Sequence, residues 1–341
     1  MPYEPIPFST RSLLLEAEKY GVEWEEFPGA RFIQLSYKEH QECFYTQVAA
    51  STTSLASYCT QNKSSTRNIL QHSSVKVPNG FFLTTEDSTT VVEAAYTALK
   101  KPVVTKPFDA NQGNGVTIDI TSLADFKDAL VVAFNSAVNS HKAALVEEMF
   151  IGKEYRVLAT QEKVIGIIER VPANVIGDGY NTIKDLITIK NRDPRRGDDF
   201  ILTPLKKIVV DTEVERILKK QQLTLTSVPK DKEQILLRKN SNLSTGGDSI
   251  DRTDEAHPDV KKISLKVMQS FPGLAWAGID FMTSDILSAQ TDDTYCIIEV
   301  NDSPGFFMHD FPYLGKSRHA AREFLFLMFP ELSLLDESLQ L

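Results

Sequence analysis

VVTKPFDANQGNGV, residues 103–116, reads as a short β-branched strand running into a turn rich in glycine and asparagine. β-branched side chains suit a pleated, half-buried surface, and glycine and asparagine accept the backbone angles of tight turns. The strand VTIDI (116–120) follows, so strand, loop and strand make a hairpin able to fold over a ligand. Lys106 adds a point charge on the first strand. The loop around Gly113 and Gly115 lets backbone amides approach phosphate oxygens with no Cβ in the way. The pattern is not G-x-x-x-x-G-K-[ST], and no helix follows, which excludes a P-loop.

The segments on either side extend this reading. Ser9–Tyr20 has helical spacing and RFIQLSY (31–37) reads as a strand, giving a small N-terminal α/β segment over 1–53. Two short helices meet near Asn62, an N-cap for a helix starting at Lys63, and KVPNGFFL leads into a strand. With helices near 91–99 and 123–134, these form a small lobe over 54–145. The runs AALVEEMF, EYRVLAT and KVIGIIERV predict a second, mostly antiparallel sheet in a large lobe over 146–341. Within that lobe 185–236, which contains the charged turn NRDPRRGDDF and an exposed helix at 211–222, is expected to be a mobile insertion. Helices at 259–271 and 318–329, the latter stopping at Pro330, and strands WAGIDFM and YCIIEVN complete an α+β chain.

Composition narrows the function. The 341 residues carry a net charge of -9, without the basic stripe that nucleic acid requires. The apolar run FLFLMF is far too short to span a bilayer, and there is no signal-peptide pattern. Cys43, Cys59 and Cys296 form no C-x-x-C pair, which points to a reducing cytoplasm rather than to disulfides or zinc.

Four groups of residues carry chemistry. Glu299 and Asn301 share one face of a strand by its period of two, with Cys296, Ile298 and Val300 on the other. Asp280 ends a neighbouring apolar strand, and such hard oxygen donors suit Mg2+. Glu147 and Glu148 lead through Met149, Phe150 and Gly152 to Glu154, a linker spacing. Arg156, Arg170 and Arg238 offer guanidinium groups to a negatively charged site. His309 is a weaker candidate for a general base.

In this order the motifs resemble the ATP-grasp superfamily over residues 50–330. RVPANVIGDG (170–179), LRKNSNLSTGGDSIDRTDEAHP (237–258) and IIEVNDSPGFFMHDFPYLGK (297–316) resemble the ATP-grasp modules of bifunctional glutathione synthetases and, secondarily, of cyanophycin synthetases. The resemblance implies two α+β lobes sandwiching ATP. Lys63 and Lys106 would contact the phosphates, and a loop with Gly113, Asn114, Gly115 and Val116 would cover them. Glu147, Glu148, Met149 and Phe150 would hold adenine, and Glu154 the ribose. Asp280, Glu299 and Asn301 would bind one or two Mg2+ ions, with Mn2+ as a substitute. Arg156, Asn242, Ser244, Thr245, Gly246, Ser303 and Gly305 are expected to bind substrate, Ser303 and Gly305 through free backbone amides.

Two departures stand out. The D-alanine ligase branch has an arginine where this chain has Gly278, so Arg170 or Arg238 would have to neutralise an acyl phosphate. The bifunctional enzymes also carry a γ-glutamylcysteine-forming domain, for which this chain has no room. The expected reaction joins a small-molecule carboxylate to an amine. γ-Glutamylcysteine plus glycine is the first choice and other amino-acid or dipeptide pairs the alternative, with a kinase and a silent nucleotide binder as rival readings and a homodimer as the assembly considered.

Overall fold

Leu13, Leu14 and Ala17 form the buried stripe of α1 (Phe8–Lys19), which leads into an antiparallel meander of β1 (Glu23–Glu26), β2 (Phe32–Tyr37), β3 (His40–Tyr45) and β4 (Val48–Ala49). The computed structural model describes residues 6–27, 32–109, 114–138 and 142–339. Two capped helices follow. Thr53 accepts from the Ala56 amide at the head of α2 (Ser54–Gln61), and Asn62 accepts from Ser65 at the head of α3 (Lys63–His72). Both caps satisfy first-turn amides that have no partner within the helix.

The first larger sheet has the order β5-β8-β6-β7, from β5 (Gly80–Thr84), β6 (Val103–Pro107), β7 (Thr117–Ile120) and β8 (Ala143–Glu148). It packs on α4 (Thr89–Ala98) and α5 (Leu123–Ser136) through Leu83, Ala95, Val103, Phe126 and Val146. This corrects one expectation. AALVEEMF does not start the second sheet, because residues 143–148 pair on both edges with β5 and β6. A boundary after residue 145 therefore cuts a strand. The short link to the next strand resembles a hairpin turn in the sequence, but it is the crossing between sheets.

The second sheet has the order β15-β10-β9-β16-β17 and is antiparallel throughout. Its strands are β9 (Lys153–Thr160), β10 (Val164–Val171), β15 (Asp248–Asp251), β16 (Trp276–Thr283) and β17 (Tyr295–Asn301). Odd positions of β9 and β16, including Tyr155, Val157, Ala277, Ile279 and Phe281, enter a core with α3 and with α8 (Pro258–Gln269). Even positions face the other way. Leu158 and Trp276 join a core with α1, the N-terminal meander and α10 (Ala320–Met328), where Trp276 stacks on Phe324 at 4.1 Å. Further along that face lie Glu154, Arg156 and Asp280, so strand alternation turns one side of the sheet from apolar to charged.

The chain between β10 and β15 folds on its own small core. It contains β11 (Asn174–Ile176), α6 (Ile183–Lys190), β12 (Arg196–Gly197), β13 (Leu205–Lys206), α7 (Thr212–Lys220) and β14 (Gln234–Leu236). It starts earlier than residue 185, since Ala173 and Val175 already belong to that core. The helix expected to be exposed buries Val214, Ile217 and Leu218 on one side. Pro330, expected to close the chain, instead opens α11 (Pro330–Leu339), because proline suits a first helical turn whose amide needs no partner. The short α9 (Phe307–Asp310) lies before α10.

Candidate active site

Asp280 lies opposite Arg156 on β9 and opposite Glu299 on β17. Arg156 Nε is 3.0 Å from Asp280 Oδ1, and Arg170 Nη2 is 2.9 Å from Oδ2. Arg170 also pairs with Glu154, which accepts from the Ser241 hydroxyl. Burial pushes the Asp280 carboxyl up, but Arg156 and Arg170 outweigh it and hold the group below its ordinary range. Asp280 is therefore ionised. Glu299, beside it, is exposed.

Gly278 explains how Arg156 reaches this position. A Cβ at residue 278 would lie 2.6 Å from Arg156 Nη1 and 2.8 Å from Pro304 Cβ. Arg156 Nη1 donates to the Gly278 carbonyl at 3.1 Å. A side chain missing from β16 thus leaves room for a guanidinium from β9, which lies across the strand and reaches Asp280.

The strand alternation expected for β17 fails at one point. Asp280 pairs with Glu299, but Phe281 pairs with Ile297, so Ile298 is the extra residue of a bulge. Tyr295, Ile297 and Val300 consequently share the core. Cys296 is not on the face of Val300, as regular alternation would require. Its thiol is pushed up to about 12, first by burial and then by the charge of Glu147.

A second charged cluster lies on the first sheet. Glu147 is buried between Arg67, 2.6 Å away, and Lys106. Arg67 is one helical turn past Lys63 on α3 and also donates to the Pro78 carbonyl at 2.7 Å. Burial lowers the pKa of Lys63, opposed by Glu299 and reinforced by Lys106. Lys63 heads α3, one turn before Arg67. The Glu147 carboxylate is thus occupied in fixing Lys106. Glu148 accepts from Asn79 and from the Lys100 amide, and the Glu148 and Met149 amides donate to Asn79 and Pro102 at 2.9 Å each.

The remaining sequence candidates divide. Asn301 Oδ1 accepts from the Ser303 amide at 2.8 Å, so that amide is not free for a carboxylate as expected. Gly115 has φ +70, Gly246 has φ +91 and packs on Ile208, and Val116 is exposed. Gly113 lies outside the described residues. Arg238 is not part of the Asp280 cluster. It pairs with Asp211 at 2.6 Å and lines a cavity with Ser244 and Thr245. His309 is fully buried with neither ring nitrogen partnered, and burial lowers it to about 3, so it stays neutral.

Comparison with known proteins puts this geometry in context. The chain is 39% identical over 337 residues to a glutathione biosynthesis bifunctional protein from Clostridium perfringens, covering 96% of this chain and 42% of that protein. It is 38% identical over 325 residues to a cyanophycin synthetase from Crocosphaera subtropica, covering 94% of this chain and 36% of the relative. The crystal structure of a bifunctional glutathione synthetase from Pasteurella multocida superposes with a TM-score of 0.76 at 34% identity, over 96% of this chain and 44% of that one. The chain has the ATP-grasp fold. It spans less than half the length of these relatives. No family model matches the sequence.

Within this ATP-grasp chain, sequence reasoning missed Arg67 and Ser241. The helical spacing from Lys63 to Arg67 was a usable signal for the first, whereas Ser241 gives none, because its partner Glu154 is remote in sequence. No helix among the described residues is long and apolar enough to cross a membrane.

Proposed function

We propose that the chain is an ATP-dependent carboxylate-amine ligase working through an acyl phosphate. The observation that supports this is the Arg67–Glu147–Lys106 cluster, with Lys63 one turn before Arg67 on α3, together with the Asp280–Arg156–Arg170 cluster on the second sheet. Residues 54–148 and 149–341 would then be the lobes closing on ATP. Glu154 is the candidate for the ribose, and Phe150 with the linker backbone for adenine.

The donor set fits Mg2+, or Mn2+ in its place. Among the described residues no three carboxylate, imidazole or thiol side chains converge. A divalent ion here would rest on Asp280, Glu299 and the Asn301 amide oxygen, all hard oxygen donors, completed by phosphate oxygens. Asp280 is already compensated by two guanidinium groups, which leaves exposed Glu299 as the less encumbered carboxylate. The ion would supply charge neutralisation on the transferring phosphoryl group.

A substrate carboxylate oxygen attacks the γ-phosphorus, the bond to the β-phosphate oxygen breaks, and ADP leaves. Lys63 and Lys106 stabilise charge on the transferring group. An amine then attacks the acyl carbonyl and loses a proton, and inorganic phosphate departs. Arg156, in the space left by Gly278, and Arg170 would stabilise the oxyanion. Segments 114–116 and 241–248 would exclude water from the acyl phosphate.

The preferred substrates are γ-glutamylcysteine and glycine, with other amino-acid or dipeptide pairs as the second reading. Three free cysteines accord with a reducing cytoplasm. The test is phosphate release from Mg-ATP with these pairs, with product mass read in parallel. Release dependent on both acid and amine, and lost in Lys106→Ala, supports the ligase. ADP formed without amine, with the phosphoryl group kept on the acceptor and no inorganic phosphate released, would instead indicate a kinase.

A further inference from the structure

Three groups of cations can be compared by how well they are neutralised. Arg156 and Arg170 are balanced by Asp280 and Glu154. Lys106 and Arg67 flank Glu147, with Lys63 one turn before Arg67 on α3, and these cations suit nucleotide phosphates. The third group, Lys206, Lys207 and Arg238, lines a cavity of ≈ 300 Å³ together with Ser244 and Thr245, and Asp198 is the one acid among the lining residues.

This third group is loosely held. Lys207 pairs with Asp198 at 3.1 Å, but that carboxylate is 86% exposed, and such pairs are easily exchanged. The Lys206 ammonium donates to the Asp198 carbonyl and lies 5.7 Å from the centre of the Phe200 ring. Arg238 is fixed by Asp211, while its buried Nε has no hydrogen-bond partner.

The cavity is linked to the proposed reaction centre through the loop that carries Ser241, Ser244 and Thr245. Ser241 bonds Glu154, Glu154 pairs with Arg170, and Arg170 with Asp280. Ser244 and Thr245 follow on the same short loop, which Gly246 packs tightly against Ile208, next to Lys207. The volume lies at the small end of ligand pockets, suited to one arm of a substrate and too small for a nucleotide.

We propose that the carboxylate substrate carries a second anionic group, a carboxylate or phosphate, held in this cavity by Lys206, Lys207 and Arg238. Its place in the reaction rests on the ligase reading above, but the anion preference of the cavity does not. Arg238 thereby becomes a substrate-positioning residue, distinct from Arg156 and Arg170.

The test uses three probes on the full chain with Mg-ATP: γ-glutamylcysteine, the same peptide with the glutamyl α-carboxyl as an amide, and an O-phosphoseryl dipeptide. Binding is read by calorimetry and turnover by phosphate release with glycine. At least one dianionic probe should bind about tenfold or more tightly than the amide, the better one identifying the anion. The double substitution of this half-buried pair, Lys206→Gln with Lys207→Gln, should erase that preference, raising KM about tenfold with much less effect on kcat. Arg238→Gln provides an independent second variant. No preference in the wild type, including no binding of any probe, overturns the proposal, as does a preference that survives both variants. A preference without amine-dependent phosphate release sinks the ligase reading and leaves the anion site standing. Equal turnover of singly and doubly charged acids does the reverse.

Discussion

Two buried aspartates on the five-stranded sheet, Asp280 on β16 and Asp248 on β15, are each held by a pair of cations. Asp280 has Arg156 and Arg170; Asp248 has Arg196 and Lys190, with Asn174 donating at 2.9 Å. Their surroundings differ. Asp280 is next to exposed Glu299 across the strand pair. Asp248 is enclosed by the inserted subdomain, and the Tyr313 ring lies against Lys190, Arg195 and Arg196 at 5.1 to 5.4 Å. A clasped buried carboxylate therefore does not by itself mark chemistry. The neighbouring acid open to solvent separates the proposed reactive site from the structural joint.

Substitution tests that contrast directly. Asp280→Asn should lower amine-dependent phosphate release by about 10²–10³-fold, the scale of losing one electrostatic element at a reacting centre. Activity retained in a folded Asp280→Asn protein would place the chemistry elsewhere. Asp248→Asn should instead leave its two cations unpaired and lower stability by about 3–5 kcal/mol in urea unfolding. The folded fraction should keep near-normal kcat, and a selective loss of kcat would erase the distinction.

A smaller effect is expected from Gly278→Ala, which pushes on Arg156 without removing a charge. Crowding of this kind costs about 1–3 kcal/mol, and kcat should fall more than ATP affinity. A variant with unchanged kcat would mean that Arg156 does not need to lie over β16.

The mildest prediction concerns His40, which bridges the N-terminal meander to α11 through Glu331 at 2.8 Å. The hydrogen bond that His40 donates to Glu331 raises the His40 pKa above its ordinary 6.5, against a smaller effect of burial. A raised histidine stabilises the fold below its unfolded pKa and loses that contribution as pH rises through the folded value. The Tm difference between wild type and His40→Gln should be largest below pH 6.5 and shrink above it. A difference that grows with pH would contradict this.

Much of the fold could be read from local pattern: the Asn62 cap, the apolar strands, and the facing acids Asp280 and Glu299, although Asp280 lies inside β16 and not at its end as expected. Pairing between distant segments was not legible. Nothing local tells Ala143–Glu148 to join β5 and β6, and only the sheet shows that Gly278 makes room for Arg156. Glu147 was read as an adenine contact because it stands in a linker pattern, yet its partners Arg67 and Lys106 are 80 and 41 positions away. The paired cations could be found in sequence only as types, not as a network.

The bulge at Ile298 has a consequence for comparing or redesigning this chain. It divides β17 into two stretches of opposite phase, so a gap slid one position past it would exchange Glu299 and Val300 between cleft and core. The acid that distinguishes this aspartate from Asp248 thus depends on a single inserted residue, and sequence alignments through 296–300 should be anchored on backbone pairing rather than on letter matches.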